Sequence, residues 1–128
     1  MEGNDKGAAV ADDVKLTLPV PPTDNRYYGK PKGARHKYLT KAARVFRHEV
    51  AVIAMQEGAR GAFQRGRVGL RAVLHLGYGG DIQNRLKGLC DALEHANVLD
   101  NDRQIDELIV IRGHPVTGGR CEVTLRRL

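Results

Sequence analysis

The chain has 128 residues, 41% apolar and 28% charged, which is enough for one small core and too few for two domains. Lys and Arg total 21 against 15 Asp and Glu, a net charge of +6; 14 of the 21 are Arg, whose forked guanidinium suits phosphate, so a polyanionic partner is expected. Cys90 and Cys121 form no CxxC pair, the apolar runs are only a few residues long and the first residues carry no charged-then-apolar leader. A disulfide framework, a zinc finger, a membrane span and a signal peptide are therefore not expected, and the chain reads as reduced and cytoplasmic.

Residues 1–13 show no periodicity and read as a disordered tail before a domain over 14–128. From Val14 the Val-Lys-Leu-Thr-Leu alternation predicts a strand, stopped by Pro19, Pro21 and Pro22. A loop to about Tyr38 precedes a helix capped by Thr40, with Ala43, Phe46, Val50, Ile53 and Ala54 at helical spacing and Gly58 at its end. The Gly- and Arg-rich segment 58–67 reads as a mobile connection within reach of phosphates. Val68 to Leu76 alternate as a second strand, broken at Gly77-Tyr78-Gly79-Gly80.

A second helix is predicted to open at Asp81 as its cap, with Leu86, Leu89, Cys90, Leu93 and Ala96 as its apolar stripe and Asn97 in the left-handed position past its end. Ile105–Arg112 and Cys121–Arg126 read as two more strands closed into a hairpin by GHPVTGG. The expected fold is α/β (α+β): a small mixed β-sheet in the order β-α-β-α-β-β, covered by two helices.

Two stretches carry chemistry. From Asn25 to His48 there is no Asp or Glu, while Arg26, Lys30, Lys32, Arg35, Lys37, Lys41, Arg44 and Arg47 alternate with Tyr27, Tyr28, Tyr38 and Phe46. Arg and Lys neutralise phosphates and tyrosines stack on bases, so this run predicts nucleic-acid contact; a solvated basic face, with Phe46 in the core, is the plainer alternative. In the second stretch, residues 79–106, a helical wheel sets Asn84, Lys87 and Asp91 on one stripe, with Asp81 before them and Asp100 and Asp102 beyond. An acidic pocket in a basic protein invites a hard divalent cation, which takes one or two carboxylates plus waters and phosphate oxygens. The same acids also have structural uses: Asp81 as a cap, Asp91 as a partner of Lys87, and Asp100-Asn101-Asp102 as a turn. The five histidines lack ligand spacing and read as structural or surface groups, and the chain contains no serine nucleophile.

The segments LTLPVPPTDNRYYG and DIQNRLKGLCDALEHANVLDNDRQI together resemble the RusA family of Holliday-junction resolvases, usually phage- or prophage-encoded, over roughly residues 14–128. The first is similar to the family's strand, Pro-Pro turn and Asn-Arg-Tyr-Tyr element. The second is similar to its D-x-D-N-x-x-K helix opening, Asp-Ala-Leu interior and later Asp followed two residues on by Gln.

The resemblance implies a homodimeric, Mg²⁺-dependent (Mn²⁺ in its place) crossover junction endodeoxyribonuclease that binds four-way DNA and nicks two opposing strands. It makes Asp81 and Asp102 metal-binding carboxylates, Asn84 the amide beside them and Lys87 the cation that steadies charge at the scissile phosphate. Asn25, Arg26, Tyr27, Lys30, Lys32, Arg35 and Arg85 are the expected DNA contacts. For the dimer contact, the exposed face of the first helix or the Leu74-Leu76 strand is expected. Two departures stand out. Gln83 occupies the second carboxylate position, losing one negative charge at the metal and setting cleavage in question, so that a non-cleaving branched-DNA-binding protein is the alternative. Gly-Tyr-Gly-Gly stands where relatives can carry an arginine run.

Overall fold

The chain was built as a computed structural model that describes residues 13–30, 33, 35–77 and 79–128. All of the expected tail except Asp13 lies outside the described residues, and Asp13 already belongs to the first strand. β1 (Asp13–Leu18) buries Leu16 and Leu18 and turns Asp13, Lys15 and Thr17 outward, as its alternation requires. After the prolines comes a single helical turn, α1 (Asp24–Tyr27), and then a two-stranded ribbon of β2 (Tyr28–Gly29) and β3 (Tyr38–Leu39), structure that the sequence left as loop. Thr40 caps α2 (Lys41–Gln56) by accepting the Ala43 N–H, and Gly58 ends the segment with φ +70. β4 (Val68–His75), α3 (Leu86–His95), β5 (Ile105–Arg112) and β6 (Arg120–Arg127) complete the chain.

The main sheet is mixed, in the order β1-β6-β4-β5. β4 and β5 are parallel, joined by the α3 crossover, whereas β6 runs antiparallel to both β4 and β1. This confirms the α+β class and corrects the expected hairpin: β5 and β6 flank β4 instead of pairing with each other. The reason lies in the connection. GHPVTGG passes over the end of β4, where the Gly113 N–H donates to the Leu74 carbonyl, and a β-carbon on Gly113 would collide with the His75 ring. His75 is itself buried, its ring nitrogens 2.9 Å from the His114 carbonyl oxygen and 3.1 Å from Glu122 Oε1.

Both long helices cover one face of the sheet. Ala43, Phe46, Val50 and Ala54 of α2 and Leu89, Ala92 and Leu93 of α3 meet Val68, Leu70, Ala72, Leu74, Val123 and Leu125. Leu74 and Leu76 are buried in that core, which removes the Leu74-Leu76 strand as a dimer contact. The 58–67 segment is pinned, contrary to the mobile connection expected of its glycines. Gly61 and Phe63 donate to the Asn97 and Val98 carbonyls, Phe63 is buried, and Arg127 holds the Ala62 and Arg65 carbonyls.

The second helix also starts later than expected. Asp81 Oδ1 accepts the N–H of Gln83, two residues on, which folds an Asx turn and not a helix cap. A short 3-10 turn, Gln83–Arg85, follows, with Asn84 outside helical dihedrals at φ −94, ψ 35, so α3 proper begins at Leu86. Asn97 closes the helix at φ 62, as its type predicts.

Candidate active site

Of the three acids named as ligand candidates, Asp91 is held by an ion pair, whereas Asp81 and Asp102 make none among the described residues. Asp91 takes both forks of Arg47, at 2.8 and 2.9 Å, and the Tyr27 hydroxyl at 2.5 Å. Burial pushes the Asp91 carboxyl up, but the hydrogen bonds from Arg47 and Tyr27 outweigh it and hold the group below the usual carboxylate range. All the close polar groups around Asp91 are therefore protein donors. Its metal-ligand role is withdrawn, and its partner is Arg47 from α2, not Lys87. Tyr27 moves with it: the ring is fully buried against α3, where a β-carbon on Gly88 would sit 2.6 Å from it, so it cannot stack on DNA. Its apparent place in a basic loop concealed a core residue.

Asp81 and Asp102 are exposed. Asp81 rides on the Gly-rich turn after β4, and arginines clasp that turn from outside. Arg85 donates to the Asp81 carbonyl at 2.7 Å and to the Pro21 carbonyl at 2.8 Å, while Arg112 donates to the Gly80 carbonyl at 2.5 Å. Burial and neighbouring Arg26 lower the pKa of Arg85, and the Asp81 charge opposes them.

Asp102 opens a second 3-10 turn, Asp102–Gln104, built as a capping box. Asn101 Oδ1 accepts the Arg103 N–H, and Gln104 Oε1 accepts the N–H groups of Asn101 and Asp100. The Gln104 amide then donates to the Phe63 and Gly66 carbonyls, tying the turn to the 58–67 segment. The Asp102 carboxylate is left outside this network among the described residues; its backbone N–H donates to Glu94 and its carbonyl accepts the Ile105 N–H.

Among the described residues, Asn84 Oδ1 is buried without a hydrogen-bond partner, and so is Oδ1 of Asp24 on α1. A buried oxygen without a donor is costly and suits a cation or a water. Burial raises the pKa of the Tyr28 phenol, and the charges of Asp91, Asp24 and Asp102 push the same way against Arg47, which places Asp24 in the acidic field. Sequence reasoning passed over Asp24 because it directly precedes the acid-free run. Gln83 is exposed, and Lys87 is exposed without an ion pair among the described residues. Asn84, in its 3-10 turn, departs from the helical stripe that was expected to align it with Lys87 and Asp91.

The donor chemistry suits a hard cation: the Asp81 and Asp102 carboxylates and the amide oxygens of Gln83 and Asn84 are all oxygen donors. The charge is low, however. Among the described residues no three His, Cys, Asp or Glu side chains converge on a point that could hold a metal ion. In kind these oxygens suit a hard divalent cation, though no closed cage is built among the described residues. Asn25, Arg26, Lys30 and Arg35 are exposed, as DNA contact requires; Lys32 lies outside the described residues. No helix of the described residues is long and apolar enough to cross a membrane.

Residues 19–126 match the family model described as Endodeoxyribonuclease RusA. The crossover junction endodeoxyribonuclease of Enterobacteria phage HK97 is 30% identical over 119 residues, covering 91% of this chain and 97% of the phage protein. The protein of the same name from Escherichia coli K12 is 26% identical over 121 residues, 88% of this chain and 93% of its own length.

Proposed function

Because the chain belongs to the RusA family of endodeoxyribonucleases, we propose that it is a Mg²⁺-dependent resolvase of four-way DNA junctions, acting as a homodimer through paired symmetric nicks in the cytoplasm of a bacterium or phage-infected cell. The observation that carries this reading is the division among the acids: Asp91 is committed to Arg47 and Tyr27, whereas Asp81 and Asp102 present carboxylates on two braced turns next to a basic surface. The phage relative supports a phage or prophage origin.

Asp81 and Asp102 would hold the metal, with the amide oxygens of Gln83 and Asn84 as neutral donors. When bound, a hard divalent cation supplies positive charge at the phosphate and a more acidic water. The remaining work falls to the chain. Lys87, exposed in the first turn of α3, offsets charge building on the scissile phosphate. Arg26 and Asn25 at α1, with Lys30, Arg35 and Arg85, seat the DNA backbone and fix its register. Two such sites related by a two-fold axis match the near two-fold symmetry of a four-way junction and explain how opposing strands are nicked together.

Gln83 favours a second reading. An amide in place of a carboxylate removes one negative charge and adds a methylene, which weakens the hold on a hard cation. On this reading the chain binds branched DNA and cuts it slowly or not at all. An end-labelled junction, incubated with Mg²⁺ or with EDTA and run beside a gel shift of the same DNA, separates the two for this chain and Gln83→Asp. Paired nicks by the parent chain that need Mg²⁺ support the resolvase. Binding without nicking, restored by Gln83→Asp, supports the disabled member. Equal binding of the junction and a linear duplex by both proteins would overturn both readings.

A further inference from the structure

β5 has the composition of a strand covered on both faces and the position of a strand at an edge. Its centre, Leu108-Ile109-Val110-Ile111, is an uninterrupted apolar run, the pattern of a parallel strand buried between layers. One long side is satisfied by β4, but the sheet ends at β5, so the outward N–H and C=O groups have no strand partner among the described residues. Alternation puts Leu108 and Ile109 on opposite faces, and they are 48% and 43% exposed. The other edge shows how such a liability is ordinarily blunted: β1 turns Asp13 and Lys15 outward and runs into Pro19, Pro21 and Pro22. The centre of β5 has neither charge nor proline.

We propose that β5 pairs antiparallel with β5 of a second copy of this chain, about a two-fold axis at Ile109, joining two four-stranded sheets into one. The sequence of the strand selects this partner. A two-fold axis perpendicular to a continuous sheet keeps each side chain on its own face, so directly opposed residues must have numbers of the same parity. Centred on Ile109, the pairing sets Ile109 against itself, Leu108 against Val110, Glu107, already held by Arg126 of its own sheet, against Ile111, and Asp106 against Arg112, an acid and a base on each side of the axis. A shift of the centre to Val110 would put Leu108 against Arg112, and a shift to Leu108 would put Asp106 against Val110, so either neighbouring register loses the charge match. Asp106 is already held by Arg67 and Arg112 already reaches the Gly80 carbonyl, which places the seam beside the turn carrying Asp81.

This inference rests on the homodimer part of the proposed function and names its surface. Light scattering of the whole chain at micromolar concentration should give a dimer. Ile109→Lys places two like charges directly opposite each other at the axis and should weaken self-association roughly tenfold or more, with an unchanged circular dichroism spectrum because the side chain is half exposed. Ile109→Cys should cross-link to itself under mild oxidation, since directly opposed β-carbons lie about 4.5–5.5 Å apart, while Leu108→Cys, offset from its copy by two residues, should not. A monomeric parent chain overturns the proposal. So does a dimer indifferent to Ile109→Lys with no cross-link through Ile109→Cys, which would leave the homodimer reading standing on another face. A dimer that behaves as expected but shows no junction preference upholds the seam and overturns the junction reading instead.

Discussion

Arg47 closes both forks of its guanidinium on Asp91, and Tyr27 adds a third donor from α1, so one carboxylate locks three helices together. The Asp91 side chain is 26% and that of Arg47 24% exposed, so removing the acid would strand a half-buried cation. Asp91→Asn is expected to cost about 2–3 kcal/mol, near the lower end for breaking a buried pair because some solvent reaches this one, and urea unfolding reads it directly. The pH dependence has a definite sign. Because the folded carboxyl titrates below its unfolded value, its stabilisation is fully present above the ordinary carboxylate pKa of about 3.9 and is lost as pH falls through the folded value. The difference in melting temperature between the parent chain and Asp91→Asn should therefore hold steady from neutral pH down to about pH 5 and shrink below about pH 4. A variant as stable as the parent at neutral pH would show that Asp91 is not structurally committed and would reopen it as a ligand.

Turns set the position of the candidate site more than helices do. Gln104 joins the Asp102 turn to the 58–67 segment through two accepted and two donated hydrogen bonds, and it is 9% exposed. Gln104→Leu keeps the volume but strands two carbonyls and two N–H groups; a loss of about 2–4 kcal/mol is expected, with hydrogen exchange faster around residues 61–66 and 100–103 than elsewhere. Uniform exchange would mean that the turn stands without its pin. Elements set by local chemistry were legible in the sequence: the alternation of β1 and β4, the Thr40 cap, the apolar stripe of α2, and Asn97 at the end of α3. What was not legible depended on partners remote in the chain. Alternation in β5 and β6 identifies strands but not neighbours, so the parallel pairing with β4 read as a hairpin. Asp81 is equally suited to a cap and to an Asx turn, and only the fold selects between them. Tyr27 and Asp91 needed Arg47 and Gly88 beside them before either role could be read, whereas Asp81 and Asp102 became ligand candidates only through the family resemblance, since their spacing suits a cap and a turn equally well.

A charge of +6 spread over the whole molecule would bind any nucleic acid, so the distribution around the Gly-rich turn matters more than the total. Arg85 and Arg112 reach that turn from α3's entrance and from β5, and Arg26 stands near enough to Arg85 to disfavour its charge. None of the three has a carboxylate partner among the described hydrogen bonds and ion pairs, so each keeps N–H donors for phosphate. If Arg85 contacts a phosphate, Arg85→Ala should weaken junction binding similarly across DNA sequences and lower the slope of log affinity against log salt by about 1. If it only braces the Asp81 turn through the Asp81 and Pro21 carbonyls, affinity and cleavage should fall with the slope unchanged. Arg85→Lys sharpens the comparison, because it keeps the charge while losing the fork that spans two carbonyls. A slope near that of the parent, with cleavage reduced, would locate the contribution of Arg85 in the geometry of the turn.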